Sequence, residues 1–159
     1  MAAIARLEPG PLRPEQELEG LIAESGDDGA VVSFVGIARR TAADGRPVER
    51  LFLQHHPLLT QQSLDAIASD ALNRFGVSSA HVVHRCGDVR PGEPIVFAAA
   101  AAPHRRAAFE AADYLMDRLK TEAVFWKRED GPEGSTWIEP TDRDAQDRNR
   151  WTCPESTTA

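Results

Sequence analysis

The apolar positions of this chain fall into short blocks of two periods, and the blocks predict most of its elements. Residues 30–37 (AVVSFVGI) are β-branched and apolar and read as a strand, as do 81–86 (HVVHRC) and the long alanine-rich run 95–102 (IVFAAAAA). A helical stripe replaces them at 58–75, where Leu64, Ile67, Ala68, Ala71, Leu72 and Phe75 recur three and four apart before Gly76 stops the helix. A second stripe, over 105–121, directs Phe109, Ala112, Leu115, Met116 and Leu119 inward. Pro14 fits the first turn of a helix over 15–24, and residues 4–7 suggest a short edge strand before it. The alternation in 48–54 (VERLFLQ) predicts a strand pairing back as a hairpin with 30–37, across the turn at Asp44-Gly45.

Toward the C-terminus the periods change abruptly. Val124-Phe125-Trp126 breaks the helical stripe and reads as the start of a strand; 131–134 form a turn, and 135–139 (STWIE) a last strand. The polar stretch 87–94 (GDVRPGEP) reads as turn chemistry. Residues 140–159 form a mixed-charge tail, with a short helix to about Trp151 and a frayed end. Helices alternating irregularly with hairpin-linked strands imply an α+β fold in one domain spanning 1–159, without repeats or linkers.

Composition narrows the function classes. No apolar run is long enough to span a bilayer, and the opening MAAIARLEPG is too short in apolar residues for a signal peptide, so the expectation is a cytoplasmic protein. Cys86 and Cys153 lie far apart, without a CxxC pair, and suggest neither a disulfide framework nor zinc. The adjacent His55 and His56 on a strand would point to opposite faces, so no metal is expected there. A net charge of −7 argues against nucleic acid as a partner. Locally the balance reverses: residues 104–128 carry six Lys/Arg against four Asp/Glu, which suits a small anionic ligand.

That basic stretch holds both lysines of the protein, Lys120 and Lys127, while the other sixteen basic residues are arginine. An ammonium can serve as acid, base or nucleophile, whereas a guanidinium keeps its proton. The two lysines are therefore the candidates for chemistry. With the helix ending near residue 121, Lys127 comes off the following strand and meets Lys120 at the helix–strand junction. Phe34 and Met116 can serve either as core or as pocket lining.

With these segments laid out, the chain resembles the large, catalytic subunits of molybdopterin synthase. The resemblance rests on GAVVSFVGIAR, on HRCGDVRPGEPIVFAAAAAPHRRAAFEAADYLMDRLKTEAVFWKRE and on GSTWIE, and covers roughly residues 28 to 139. It departs from the family at Gln54-His55-His56-Pro57, where an acidic residue and a tyrosine are usual before the proline. It departs again at Pro103, in place of a small polar residue.

The resemblance implies an α/β hammerhead-type fold with an additional antiparallel β subdomain. It implies sulfur transfer from the C-terminal thiocarboxylate of a small ubiquitin-like subunit to a cyclic pyranopterin monophosphate, forming the dithiolene of molybdopterin. It further implies a homodimer of large subunits within a heterotetramer, no cofactor, Lys120 and Lys127 as essential residues, and Phe34, Arg39, His104, Arg105 and Met116 as pocket positions. On this reading Lys127 is the acid/base or charge-stabilising group at the reacting centre, and Lys120 anchors the thiocarboxylate terminus and stabilises its oxyanion, although the division can be reversed. Glu129 can pair with Arg128 or orient Lys127, and the cysteines carry no sulfur. Two rivals keep the same residues: a Schiff-base lysine enzyme, and a non-catalytic adaptor for a ubiquitin-like tail.

Overall fold

The computed structural model describes residues 1–152 of the 159. In chain order the elements are β1 (Ala2–Glu8), α1 (Pro14–Glu24), β2 (Ala30–Ile37), β3 (Arg50–His55), α2 (Leu59–Phe75), β4 (Ser79–Arg85), β5 (Gly87–Val89), β6 (Pro94–Ala102), α3 (Arg105–Glu122), β7 (Phe125–Gly131), β8 (Gly134–Ile138) and α4 (Asp142–Asn149). The strands form two four-stranded sheets, ordered β1-β4-β6-β2 and β5-β3-β7-β8. The expected α+β class is met, and the second, wholly antiparallel sheet is the additional β unit.

The alanines of β6 explain how the first sheet is built. Its residues alternate between faces, as in any strand. Ala98, Ala100 and Ala102 join Leu64, Ile67, Ala71, Leu115 and Leu119 on the side covered by α2 and α3. Phe97, Ala99 and Ala101 face the other way, toward Leu12, Leu21 and Val83 under α1. A strand buried on both faces has no solvent side to make polar, and small side chains let two helices approach it closely.

That close approach explains a misplaced residue. Ala108, Ala111, Ala112, Leu115 and Leu119 form the buried stripe of α3, whereas Phe109, expected inward, is 59% exposed. One helical step away from a stripe of alanines leaves a phenyl ring no room against the sheet.

Two strand predictions need correction. Strand β3 does not pair with β2: it lies between β5 and β7 in the second sheet, with Leu53 opposite Lys127 and Gly87. A register irregularity at Gly36/Ile37, followed by the bond from Ala38 N to Glu93 O, carries the chain out of the first sheet before β3 begins. Alternation shows which residues of β3 face inward, here Leu51 and Leu53 toward Val89, and is silent about the neighbouring strand. The second correction concerns 87–94, whose first three residues pair with β3 as β5.

Phe125 joins the two units. It packs against the main core and also against the small cluster of Ala38, Leu53 and Val89. Thr60 fastens the same junction from α2: its hydroxyl accepts from His56 N (2.8 Å) and donates to the Val124 carbonyl (2.6 Å). The tail begins with a capping box at Thr141 and Asp144 and continues as α4; Cys153 and the rest of the tail lie outside the described residues.

Candidate active site

A pocket of about 280 Å³ opens where α3 hands over to β7 and the first sheet meets the second. Its lining contains Phe34, Arg39, Met116, Lys120 and Lys127, all expected from the sequence. It also contains His84, which the sequence pattern marks only as part of a strand. This volume suits part of one small organic molecule. Val35, Gly36, Ile37, Ile95, Val96 and Leu119 supply its apolar walls.

Each functional side chain comes from a rigid element. Lys120 sits in the last turn of α3, where a cation is favoured by the carbonyl end of the helix. Extended backbone at Ala123 turns the chain, and β7 begins at Phe125. Strand alternation then places Phe125 and Lys127 on one face and Trp126, half exposed, on the other. Phe34 is 43% exposed within β2, and Met116 is half-buried against the main core while lining the pocket. Both therefore belong to the pocket wall.

The electrostatics are unusual. Among the described residues neither lysine has a carboxylate within salt-bridge distance. Burial of the Lys127 ammonium, with Lys120 beside it, pulls its pKa down to about 8. An amine poised there exchanges protons readily near neutral pH. Burial also drives His84 down to about 3, and the two lysines add to the effect, so the imidazole is neutral. Asp144 of α4 is the carboxylate that both ammonium groups feel; hydrogen bonds from Thr141 and then the lysines outweigh its burial and hold it below the usual carboxylate range.

Not every expected residue is here. His104 and Arg105 are exposed at the opposite end of α3 from Lys120. Sixteen residues of helix separate them, about 24 Å at 1.5 Å per residue. Glu129 does not pair with Arg128, which instead binds Asp130 at 2.7 Å; the buried Glu129 Oε2 has no hydrogen-bond partner among the described residues. Cys86 is buried away from the pocket lining, its thiol pushed up by burial. His56 serves the fold instead, because its Nδ1 accepts from the Leu58 and Leu59 amides at 3.2 and 3.1 Å and so caps α2. Among the described residues no group of three His, Cys, Asp or Glu side chains could hold a metal, and no helix is long and apolar enough to cross a membrane.

Comparison with known proteins adds to this geometry. The family model described as "MoaE protein" matches residues 7–122. The molybdopterin synthase catalytic subunit of Caulobacter vibrioides is 47% identical over 148 residues, which cover 93% of this chain and 97% of that protein. Among solved structures, the molybdopterin biosynthesis MoaE protein of Burkholderia ambifaria is similar at 34% identity and a TM-score of 0.80, covering 97% of this chain and 100% of that one. A Helicobacter pylori structure described as the complex of subunits 1 and 2 of molybdopterin-converting factor superposes with a TM-score of 0.70, over 87% of this chain and 91% of that one. At 21% identity that likeness carries the fold alone.

Proposed function

The chain belongs to the MoaE family, the catalytic subunits of molybdopterin synthase, and on that premise we propose that the lysine pocket is where sulfur is transferred to a cyclic pyranopterin monophosphate. The observation that carries this reading is the convergence of two lysines without an ion pair among the described residues, one of them held at about pKa 8, in a pocket with one arginine and an apolar wall.

The donor is the C-terminal thiocarboxylate of a small ubiquitin-like subunit, and both it and the pterin phosphate are anions. Holding two anions together requires fixed positive charge in a site with little water. Lys120, at the pocket mouth, anchors the thiocarboxylate terminus. Arg39 grips the phosphate, for which its planar fork is suited. Phe34 and Met116 supply the apolar surface against the pterin. The donor sulfur bonds to a side-chain carbon of the pterin as that carbon's bond to oxygen breaks, the oxygen leaving on phosphate or as water, and a thioester-like link joins the two. Water then adds to the acyl carbon, the acyl–sulfur bond breaks, and sulfur stays on the pterin while the small subunit leaves as a carboxylate. Lys127 stabilises the oxyanion of that step and moves its proton. The second sulfur follows by the same route, in a cytoplasmic assembly.

His104 and Arg105 enter through a second copy of the chain. Strand β2 forms the outer edge of the first sheet and exposes Phe34, Val35 and Ile37 there. Its first residue, Ala30, lies opposite Ala102, two residues before His104, while its last leads to Arg39 and the pocket. A two-fold pairing of β2 edges runs them antiparallel and brings each copy's His104 and Arg105 toward the other copy's pocket. The heterotetramer is then two such large subunits with one small subunit at each.

A single-turnover assay tests both parts. Purified protein is mixed with thiocarboxylated small subunit and cyclic pterin, and the dithiolene product is read as a fluorescent oxidised pterin. Wild type should give product, and a Lys120→Ala, Lys127→Ala double variant none; full transfer by that variant sinks the assignment. Mixing Lys127→Ala protomers with His104→Ala, Arg105→Ala protomers should restore roughly a quarter of the sites, because half the dimers are mixed and each has one intact composite pocket. No restoration would confine the pocket to one chain.

A further inference from the structure

The imidazole of His84 has no part in the sulfur-transfer steps. It is 5% exposed and held from two directions. Its Nδ1 lies 2.8 Å from the Arg85 carbonyl oxygen. A carbonyl oxygen only accepts, so the ring proton is on Nδ1 and Nε2 carries a lone pair. Phe125 stacks on the ring at 4.1 Å between centroids and 24° between planes, which fixes its plane. With Nδ1 occupied, Nε2 has no hydrogen-bond partner among the described residues, and the side chain lines the pocket with both lysines. Strand alternation brings Phe125, the stacking partner, and Lys127 off the same side of β7.

We propose that His84 is a positioning residue: a neutral imidazole locked as the Nδ1–H tautomer, whose open Nε2 is the acceptor offered to the Lys127 ammonium across the pocket, so that a rotation of the lysine side chain closes the hydrogen bond and aims the amine at the reacting centre. The reacting centre is that of the sulfur-transfer reading, on which the kinetic part of the proposal rests.

The surroundings explain why an imidazole suits this place. The charged groups around it are Lys127 on β7, Lys120 on α3 and Arg39 beyond β2 in the pocket, with Asp144 of α4 acting on both lysines. A carboxylate at this position would form an ion pair with Lys127 and raise its pKa toward the ordinary value. A neutral acceptor orients the amine while leaving its proton labile. Because the imidazole titrates only near pH 3, it remains an acceptor throughout the range in which Lys127 titrates.

The test exploits the scarcity of lysine. Uniform 13C-lysine labelling gives side-chain signals from two residues only, and the Lys120→Arg variant assigns them. In wild type, 15N-histidine spectra should show His84 as the Nδ1–H tautomer, and Lys127 should titrate near 8. His84→Phe keeps a ring against Phe125 and removes the acceptor. Its Lys127 midpoint should fall by roughly half a unit or more, because a buried ammonium has lost the neutral acceptor offered across the pocket. In single turnover its rate should fall about tenfold while the KM for pterin changes less than about twofold. His84→Gln, with an amide oxygen available near the place of Nε2, should recover most of the rate. An Nε2–H tautomer in wild type overturns the proposal. So does an unchanged Lys127 midpoint in a His84→Phe protein whose amide spectrum shows it folded, or, if that protein does not fold, in His84→Leu. Failure of wild type to form dithiolene would instead overturn the reaction assignment, and the lysine titration would still decide the role of His84.

Discussion

Helix α3 carries positive charge on two sides, and the two sides treat it in opposite ways. Toward α2 and α4, Arg118, Arg148 and Arg150 each have a carboxylate partner. Arg118 meets Asp70 at 3.0 Å and also Glu122, Arg148 meets Glu122 at 2.6 Å, and Arg150 meets Asp117 at 2.6 Å and Asp113 at 3.2 Å. Aromatic rings fill the spaces between them: Phe75, Tyr114 and Trp151 pack edge to face, and Arg74 lies over all three. Toward the pocket, Lys120 and Lys127 have no such partner among the described residues, and Arg39 has none either. The first side fastens α4 to the body of the protein. The second holds like charges close together with no ion pair among the described residues, only the more distant Asp144 acting on both lysines, an arrangement that costs the fold stability. On the proposed reading, the contrast separates basic residues that serve structure from those that serve a ligand.

The largest effect should come from changing the kind of charge on the pocket side. Lys127→Arg keeps a cation but removes the labile proton, and single-turnover product should fall on the order of a hundredfold or more. Lys120→Arg should fall less if anchoring alone is its role. Equal activity in all three proteins would reduce the pocket lysines to simple charges and erase the contrast. Next in size is Arg118→Met on the paired side. It leaves Asp70 without its partner and Glu122 with Arg148 alone, and removes the packing of the guanidinium stem on Tyr114; urea denaturation should show a loss of about 2 kcal/mol.

The same operation on the pocket side should have the opposite sign. Lys127→Met removes a desolvated cation, and at pH 7 the variant should be more stable by about 1–2 kcal/mol, although inactive. The pH dependence follows from the lowered pKa. Between about 8 and 10.5 the folded protein holds fewer protons than the unfolded chain, so wild-type stability climbs across that window. The advantage of Lys127→Met should fade over the same interval, and a flat difference would show that the ammonium is not desolvated. The smallest effect is expected far from both sides: Arg13→Ala breaks an exposed pair with Glu15, and should leave the urea midpoint unchanged.

Much of this contrast is legible in the sequence because it depends on residue type and local period. Strand β2 matches its apolar block residue for residue, and α3 ends within one residue of its predicted limit. The break in the helical stripe at Val124 already implies that Lys120 and Lys127 meet at a helix–strand junction. Long-range pairing is not legible. Alternation in β3 cannot name β7 as its neighbour, and the three residues of β5 are too few, beside Pro91 and Gly92, to register as a strand. His104 and Arg105 are near the lysines in sequence, which suggests a shared pocket, whereas a helix of this length carries them to the far end. His84 escapes notice because a lone polar position in an apolar strand gives no sign of what it faces; the neighbour that reveals it, Phe125, lies 41 residues further along the chain.

The hand-over between α3 and β7 has a consequence for how this segment can change over time. Phe125 and Lys127 face inward only because the count of residues from Glu122 is what it is, with Trp126 between them turned to solvent. A strand displaced by one position exchanges its two faces entirely. One residue inserted or deleted between Glu122 and Trp126 would send the indole into the pocket and the ammonium out to water, while leaving every neighbouring side chain chemically intact. Substitutions at Ala123 and Val124 should accordingly be far better tolerated than any change in their number, and length, rather than composition, is what selection would hold fixed at this joint.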